Sequence, residues 1–408
     1  MTLTLIMVQY RYPPLAVLLV CLALVSTSCS ALRSESKIRE PAASPEVLEC
    51  DALCGQVRAE LNSFASWLAA NQARGYIGEV GWPDNSAGEA REWNRVADAW
   101  YEAANAAGLP VTAWSAGSWW GDYELAVYRS QVFHNTSGVD TPNTQAAVIE
   151  RHLSSGTVLR GVNVSGGEFG SQSADATSSF SNANPGVYDR DYHYDGQGTF
   201  DYLANRGIKT VRIPFRWERI QPVLGAPLDQ GELSRLQSVV GRAHKAGLQV
   251  VLDLHNFGAY YLFDGQQGVR RPLGSPELPV DRLVDVWVRL STVFRDNPAI
   301  LAYSIMNEPT GLPPSGGLTP ARVWERASQA VVDALRKNGD GKIIAVPGYE
   351  WSGVRSWAST HPRGWIRDPA QSFVYEAHHY FDRNHSGEYN FTYSQELAYA
   401  ERSATTPE

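Results

Sequence analysis

Residues 75–81 read GYIGEVG. The stretch has the character of a short strand and turn, with Glu79 at the strand end and glycines that let the backbone come close to a neighbour. Upstream, Val57, Leu61, Phe64 and Leu68 keep the spacing of one helix face. Downstream, Trp93, Val96, Trp100 and Ala104 mark a second helix that ends near Gly108. LPVTAWSAG (109–117) is then another strand. The order is α-β-α-β, which supplies two strands and their helices.

Farther along, short apolar runs alternate with helical patterns. VLRGVNV (158–164), IKTVRIP (208–214), LQVVLDLH (248–255), AILAYSIM (299–306), KIIAVP (342–347) and SFVYEAH (372–378) read as strands. Each is nearly continuously apolar, as strands covered on both faces are. Between them, Leu233, Leu236, Val240 and Ala243 mark a helix ended by Gly247. Leu283, Trp287, Leu290 and Phe294 mark another, stopped by Asn297-Pro298, and Val323, Ala327, Ala330 and Ala334 a third. Serial βα units imply a parallel sheet. Six such strands leave a barrel open; with the two around 75–81 and 109–117 the count is eight. The expected fold is a (β/α)8 barrel.

In that fold the chemistry sits at the C-terminal strand ends. Arg212, His255, Asn307, Glu308 and His378 all fall there, with Glu79 and Trp114 on the two earlier strands. Singly, each has a plain structural reading: a turn carboxylate, a core histidine, a packed indole. Several polar side chains at successive strand ends are harder to explain as core. Glu168, in GGEFG, is a rival carboxylate, as are Glu218, Asp253 and Glu350.

Composition narrows the class. The 408 residues are 43% hydrophobic and 19% charged, which is globular. A net charge of -8 without a long basic run argues against a nucleic-acid partner. Thirteen Trp and nineteen Tyr are unusually many, and flat rings suit the apolar face of a sugar. Near the N-terminus, Arg11 precedes an apolar run from Leu15 to Val25 and then VSTSCS. The run is short for a membrane span and fits an export signal over 1–29. The small residues before Cys29 resemble a bacterial lipoprotein cleavage site, although Ser26 stands where Leu is usual. The chain is therefore expected outside the cytoplasm, either secreted or lipid-anchored through Cys29 at the bacterial cell surface. Residues 30–50 have the composition of a tether, followed by one catalytic domain over 51–408. Cys50 and Cys54 can pair locally, closing too small a loop to stabilise much.

The segments LRGVNVSGGEFG, VRIPFRWERI, VVLDLHN, SIMNEP, IIAVPGYEWSG and DPAQSFVYEAHHYFDRNHSG resemble the cellulase family, glycoside hydrolase family 5. The resemblance covers about 50–400, and NEP with DPxxxxxYExHxYFD is its specific part. GYIGEVGWP and VTAWSAGSWWGDYEL also match, but out of place. In the family the nucleophile strand and the Trp strand come last; here they come first. The resemblance therefore implies a circular permutant, with the family's strands 7 and 8 ahead of strands 1 to 6. The cut ends would be the tail over 385–408 and the segment near 46–60, and 131–157 would join the old termini. It also favours Glu79 over Glu168, since Glu79 is followed by a helix and then the Trp strand.

What the resemblance implies is retaining hydrolysis of a β-glycan, with Glu308 as acid/base, Glu79 as nucleophile and no metal or cofactor. Arg212 and Tyr380 would orient Glu79, Asn307 would bond the sugar 2-hydroxyl, and His255 and His378 would line the cleavage subsite. Trp114 would stack under a sugar, with Trp82, Trp119, Trp217 and Trp351 as candidates for extending the cleft. The expected substrate is β-1,4-glucan, with mannan or another β-glycan as the alternative, and the expected state is a monomer. A non-catalytic sugar-binding barrel and an inactive remnant of tandem barrels are weaker rivals. The first needs no such set of residues, and an export signal directly before 55–130 speaks against the second.

Overall fold

The computed structural model describes residues 50–84, 88–135, 137–153, 158–171 and 177–405. The export signal, its Cys29 and nearly all of the tether lie outside the described residues. Eight strands form the centre: Gly75–Gly81 (β1), Val111–Gly117 (β2), Arg160–Val164 (β3), Thr210–Phe215 (β4), Gln249–Leu254 (β5), Ile300–Ser304 (β6), Ile343–Pro347 (β7) and Phe373–Tyr380 (β8). All are parallel, each paired with the next, and β8 pairs with β1 to close the ring. The fold is a closed (β/α)8 barrel, with every strand within two residues of its expected place.

Helices surround it at Ala52–Ala70 (α1), Ala90–Ala106 (α2), Gln145–Arg151 (α3), Gln197–Asn205 (α4), Gln230–Lys245 (α5), Val280–Phe294 (α6), Pro320–Lys337 (α7) and Tyr393–Thr405 (α8). The apolar faces read from the sequence are buried on α1 (Val57, Leu61, Phe64, Leu68) and α6 (Leu283, Trp287, Leu290, Phe294), whereas on α7 Val331 and Leu335 are buried in place of the expected Ala330 and Ala334. Asp51 caps α1 by accepting from the Cys54 amide at 3.0 Å, and Asp229 caps α5 by accepting from the Glu232 amide at 2.7 Å.

Three helices had no clear signal. α3 is only two turns long, and the sequence QGTFDYLAN of α4 carries a glycine and follows a long loop. α8 corrects the reading of 385–408 as a tail: it packs on α1, with Tyr393 and Ala400 buried. A hairpin, Ala259–Phe263 with Gly268–Pro272, and a short strand Thr177–Ser178 beside it were also unexpected.

The two ends of the barrel domain meet. Tyr393 donates its amide to Glu89 Oε2 at 2.8 Å and its hydroxyl to Asp51 Oδ2 at 2.5 Å, and Arg95 pairs with Asp51. Cys50 and Cys54 form a disulfide beside that junction. Deeper in, Glu60 of α1 accepts from His379 Nε2 of β8 at 3.0 Å, while the Trp100 indole donates to His379 Nδ1 at 2.9 Å. Glu60, His379 and His385 lie close enough to suggest a metal site. The indole bond leaves the ring proton on Nε2, aimed at Glu60, so His379 has no lone pair there for a metal. Burial keeps His379 below the usual imidazole range and therefore neutral. The cluster is a clasp between α1 and β8.

Candidate active site

The C-terminal ends of the strands carry one connected polar network. It starts from a shift of pairing register between Ile77 and Glu79 on β1. There the Gly78 carbonyl accepts from Thr112 Oγ1 at 2.5 Å and from Asn163 Nδ2 at 2.9 Å. The shift sits immediately before Glu79, whose carboxylate receives Arg212 Nη1 at 2.9 Å on Oε1 and the Tyr380 hydroxyl at 2.6 Å on Oε2. Arg212 is fully buried. Burial opposes its charge, but Asp253, Glu376 and Glu79 around it hold it protonated. Burial beside Glu79 also holds the Tyr380 phenol well above its ordinary range, so it stays a donor.

Arg212 donates from Nη2 to Asn307 Oδ1 at 2.8 Å, which fixes the amide. Asn307 Nδ2 then faces His255 Nε2 at 3.3 Å, and His255 Nδ1 faces Asp253 Oδ2 at 2.7 Å. Burial pushes His255 well below the usual imidazole range. The neutral ring thus carries its proton on Nδ1 and donates it to Asp253. Trp114 stacks against His255 at 5.8 Å between centroids and donates its indole N–H to Tyr123 at 3.2 Å.

Glu308 follows β6 with a positive φ of 42°. His378 Nδ1 donates to Glu308 Oε1 at 2.7 Å and stands 3.6 Å from Glu79 Oε2. One oxygen of each carboxyl and one nitrogen of His378 lie within 4.8 Å of one another. Burial, reinforced by the Glu79 charge, raises Glu308 above the ordinary carboxyl range against the pull of His378. For His378, burial works against the charge. The Glu79 charge and the bonds to Glu308 and Glu376 outweigh it and raise the ring to about 10.

All eight residues singled out for the site, Glu79, Trp114, Arg212, His255, Asn307, Glu308, His378 and Tyr380, fall in this network. Glu168 does not: its carboxyl turns back onto its own loop, accepting from the Gly166 amide at 2.8 Å, and burial pushes it up to about 7. Glu218 is buried as an acceptor for Asn256 and the Tyr261 amide. Trp82 and Trp217 are core residues, 1% and 0% exposed, and cannot meet a sugar. Trp119 has His134 on one face and His193 on the other, each at 4.0 Å. Trp351 is exposed beside Phe257.

Three inner residues were missed: Asn163, which accepts from Arg212 Nη1 at 2.9 Å, Ser304 and Glu376. A signal existed for Glu376. In YEAHHY it lies two residues before His378 and four before Tyr380, so a strand's alternation puts all three on one face.

A family model described as cellulase (glycosyl hydrolase family 5) matches residues 177–406. β4 to β8 lie inside the match; β1 with Glu79, β2 and β3 precede it. The chain is similar to endoglucanase gh5-1 of Neurospora crassa, 28% identical over 245 residues, which are 58% of this chain and 54% of that protein. It is similar to the manganese dependent endoglucanase Eg5A of Phanerodontia chrysosporium, 25% identical over 273 residues, 65% of this chain and 62% of that protein. Each match thus spans less than two thirds of the relative's length. Among solved structures, the Pseudomonas stutzeri endoglucanase Cel5A in complex with cellobiose is 34% identical, with a TM-score of 0.49 over 58% of this chain and 64% of that one. The family match takes in more than half of the chain, which therefore belongs to glycosyl hydrolase family 5, the cellulase family.

Proposed function

We propose that the chain is a retaining endo-β-1,4-glucanase that cleaves a glucan chain by double displacement. The observation that carries this reading is the pairing of two unlike carboxyls across His378. Glu79 accepts from Arg212 and Tyr380, which fix its carboxyl in place. Glu308 is held toward the acid form. One oxygen of each lies within 4.8 Å of the other, in keeping with the short carboxyl separation of a retaining pair.

In the first step Glu79 attacks the anomeric carbon while Glu308 gives its proton to the leaving oxygen. The glycosidic bond breaks and a glycosyl ester forms on Glu79. In the second, Glu308 takes a proton from water, the water oxygen attacks the same carbon, and Glu79 is released as carboxylate. Asn307, fixed by Arg212, bonds the sugar 2-hydroxyl. His255 lines the cleavage subsite and Trp114 supplies the stacking face there. The Glu79–Glu308–His378 set is read as acid–base machinery, with His378 donating to Glu308.

We also propose that residues 51–408 are one catalytic domain in circularly permuted order. The place of the strands carrying Glu79 and Trp114, ahead of the region that the family model matches, supports this. Export through residues 1–29 goes with a polymer too large to enter a cell. Replacing Glu79 or Glu308 with Gln, followed by assays on carboxymethylcellulose, mixed-linkage glucan, mannan and xyloglucan, tests the roles and the substrate together. Near-normal turnover by either variant, or a preference for mannan, would overturn the corresponding part.

A further inference from the structure

Glu376 is a carboxyl in the middle of the barrel, directly beneath the reacting pair. It is fully buried. Its Oε1 lies 3.4 Å from His378 Nε2 and 3.1 Å from Arg212 Nη2. The groups that face it are Tyr76 on β1, Arg212 on β4, Asp253 on β5, Ser304 on β6 and His378 on β8. On β7 its neighbour in register is Pro347, which carries no charge. The nucleophile strand makes room for it: a Cβ on Gly78 would stand 2.1 Å from Glu376 Oε1. The glycine before Glu79 and the glutamate before His378 are thus two halves of one arrangement.

The charges around it can be counted. Arg212 and His378 are two cations without contact with water. Four carboxyls share their space: Glu79, Glu308, Asp253 and Glu376. An isolated charge in such a site is costly, so the cluster tends to neutrality. Glu308 is raised by burial and the Glu79 charge. Burial, with the Glu376 charge, pushes Asp253 up to about 7 against Arg212. Burial would raise Glu376 too, but Arg212 and His378 hold it below the ordinary range. Glu376 thus keeps its charge between the two cations, while burial draws Glu308 and Asp253 toward their acid forms.

This matters because the proposed reaction moves one of those negative charges. When Glu79 becomes an ester, its charge passes to Glu308, and it returns in the second step. His378 touches both and must stay a donor on Nδ1 throughout. We propose that Glu376 is a positioning residue for this reaction: from the Nε2 side it keeps His378 an imidazolium while the negative charge passes between Glu79 and Glu308. Without Glu376, His378 would lose the carboxylate on its Nε2 side and hold its second proton less firmly. Nδ1 would then turn from donor to acceptor and draw the Glu308 proton away from the leaving oxygen.

The inference rests on the retaining reading, and its test separates the two. Removing the Glu376 charge lowers the proton affinity of both His378 and Glu308. Glu376→Gln therefore moves the alkaline limb of kcat/KM toward lower pH, by about 1–3 pH units. Glu376→Asp restores the limb with lower turnover, because the charge remains and only its distance changes. Asp253→Asn, at a residue that bonds Arg212 and His255 but not His378, moves the limb less than Glu376→Gln does. In wild-type enzyme labelled with 15N-histidine, His378 keeps both ring protons beyond pH 8, which is readable even if Glu376→Gln does not fold. An unmoved limb in Glu376→Gln, an equal movement in Asp253→Asn, or a neutral His378 at pH 7 would each overturn the inference. Loss of activity in Glu79→Gln and Glu308→Gln alongside any of these leaves the retaining reading standing; full activity in those two removes the reading itself.

Discussion

Tyr380, the last residue of the last barrel strand, donates its hydroxyl to Glu79 on the first at 2.6 Å. The bond crosses the seam where β8 meets β1, so the assembly of the site depends on closure of the barrel. Removing the hydroxyl takes one of two strong donors from the Glu79 carboxylate. Tyr380→Phe is expected to lower kcat by about 10²–10³-fold, the usual effect of losing one preorganised donor. Steady-state kinetics, with circular dichroism to show an intact fold, check this.

On the proposed mechanism, the raised proton affinity of Glu308 sets the alkaline side of the pH profile. The acid form is needed for the first step, so kcat/KM stays high at pH values where an ordinary carboxyl has already ionised, and falls as pH rises through the shifted value. In Glu308→Gln that limb disappears. A substrate with an activated phenolic leaving group needs no proton in the first step. Its glycosylation rate, read from the burst phase, should fall far less than the rate on cellulosic substrate.

Gly78 has room only for hydrogen. Gly78→Ala brings a methyl group against Glu376 and the barrel core, and the expected cost is about 1–3 kcal/mol of stability with loss of activity. Chemical denaturation reads the first and turnover the second. A fully stable, active Gly78→Ala would contradict the packing of the two strands.

Acid should loosen the clasp between α1 and β8. Burial opposes the Glu60 charge, but His379 and His385 outweigh it and bring Glu60 down from 4.5 to about 2. A depressed carboxyl contributes stability that is full above its unfolded value and is lost as pH falls through its folded one. Unfolding free energy should therefore decline from about pH 4.5 toward 2, and Glu60→Gln should be less stable at neutral pH with a shallower decline in that window.

The proposed permutation predicts that strand order can be restored. A chain beginning at residue 158, with residues 50–153 attached after 405 through a short linker, should fold and cleave the same substrate as the natural order. The seam is already bridged by Tyr393, Asp51 and Arg95. Failure of several linker lengths to give folded protein would count against it.

Much of this was legible in the sequence because barrel strands are buried on both faces and read as short apolar runs. Glu79, Glu308 and His378 were legible because each stands near the end of such a run, and Arg212 because it is a lone charge inside one. The hairpin over 259–272 and helix α8 were not, because their residues are partly exposed and carry weak periodicity. Trp82 and Trp217 misled for a related reason: a tryptophan near a strand end looks the same whether it faces the cleft or the helices. Glu376 was passed over since it lies inside an apolar run, where only the alternation with His378 and Tyr380 reveals its side of the strand.

The central claim is that Glu79 is the nucleophile. Incubation with an activated 2-deoxy-2-fluoro cellobioside, followed by peptide mass spectrometry, traps the covalent step. The account predicts one glycosyl unit on the peptide containing GYIGEVG, located at Glu79. A label on Glu168 or another carboxyl, or no label with inverted product stereochemistry, would contradict it.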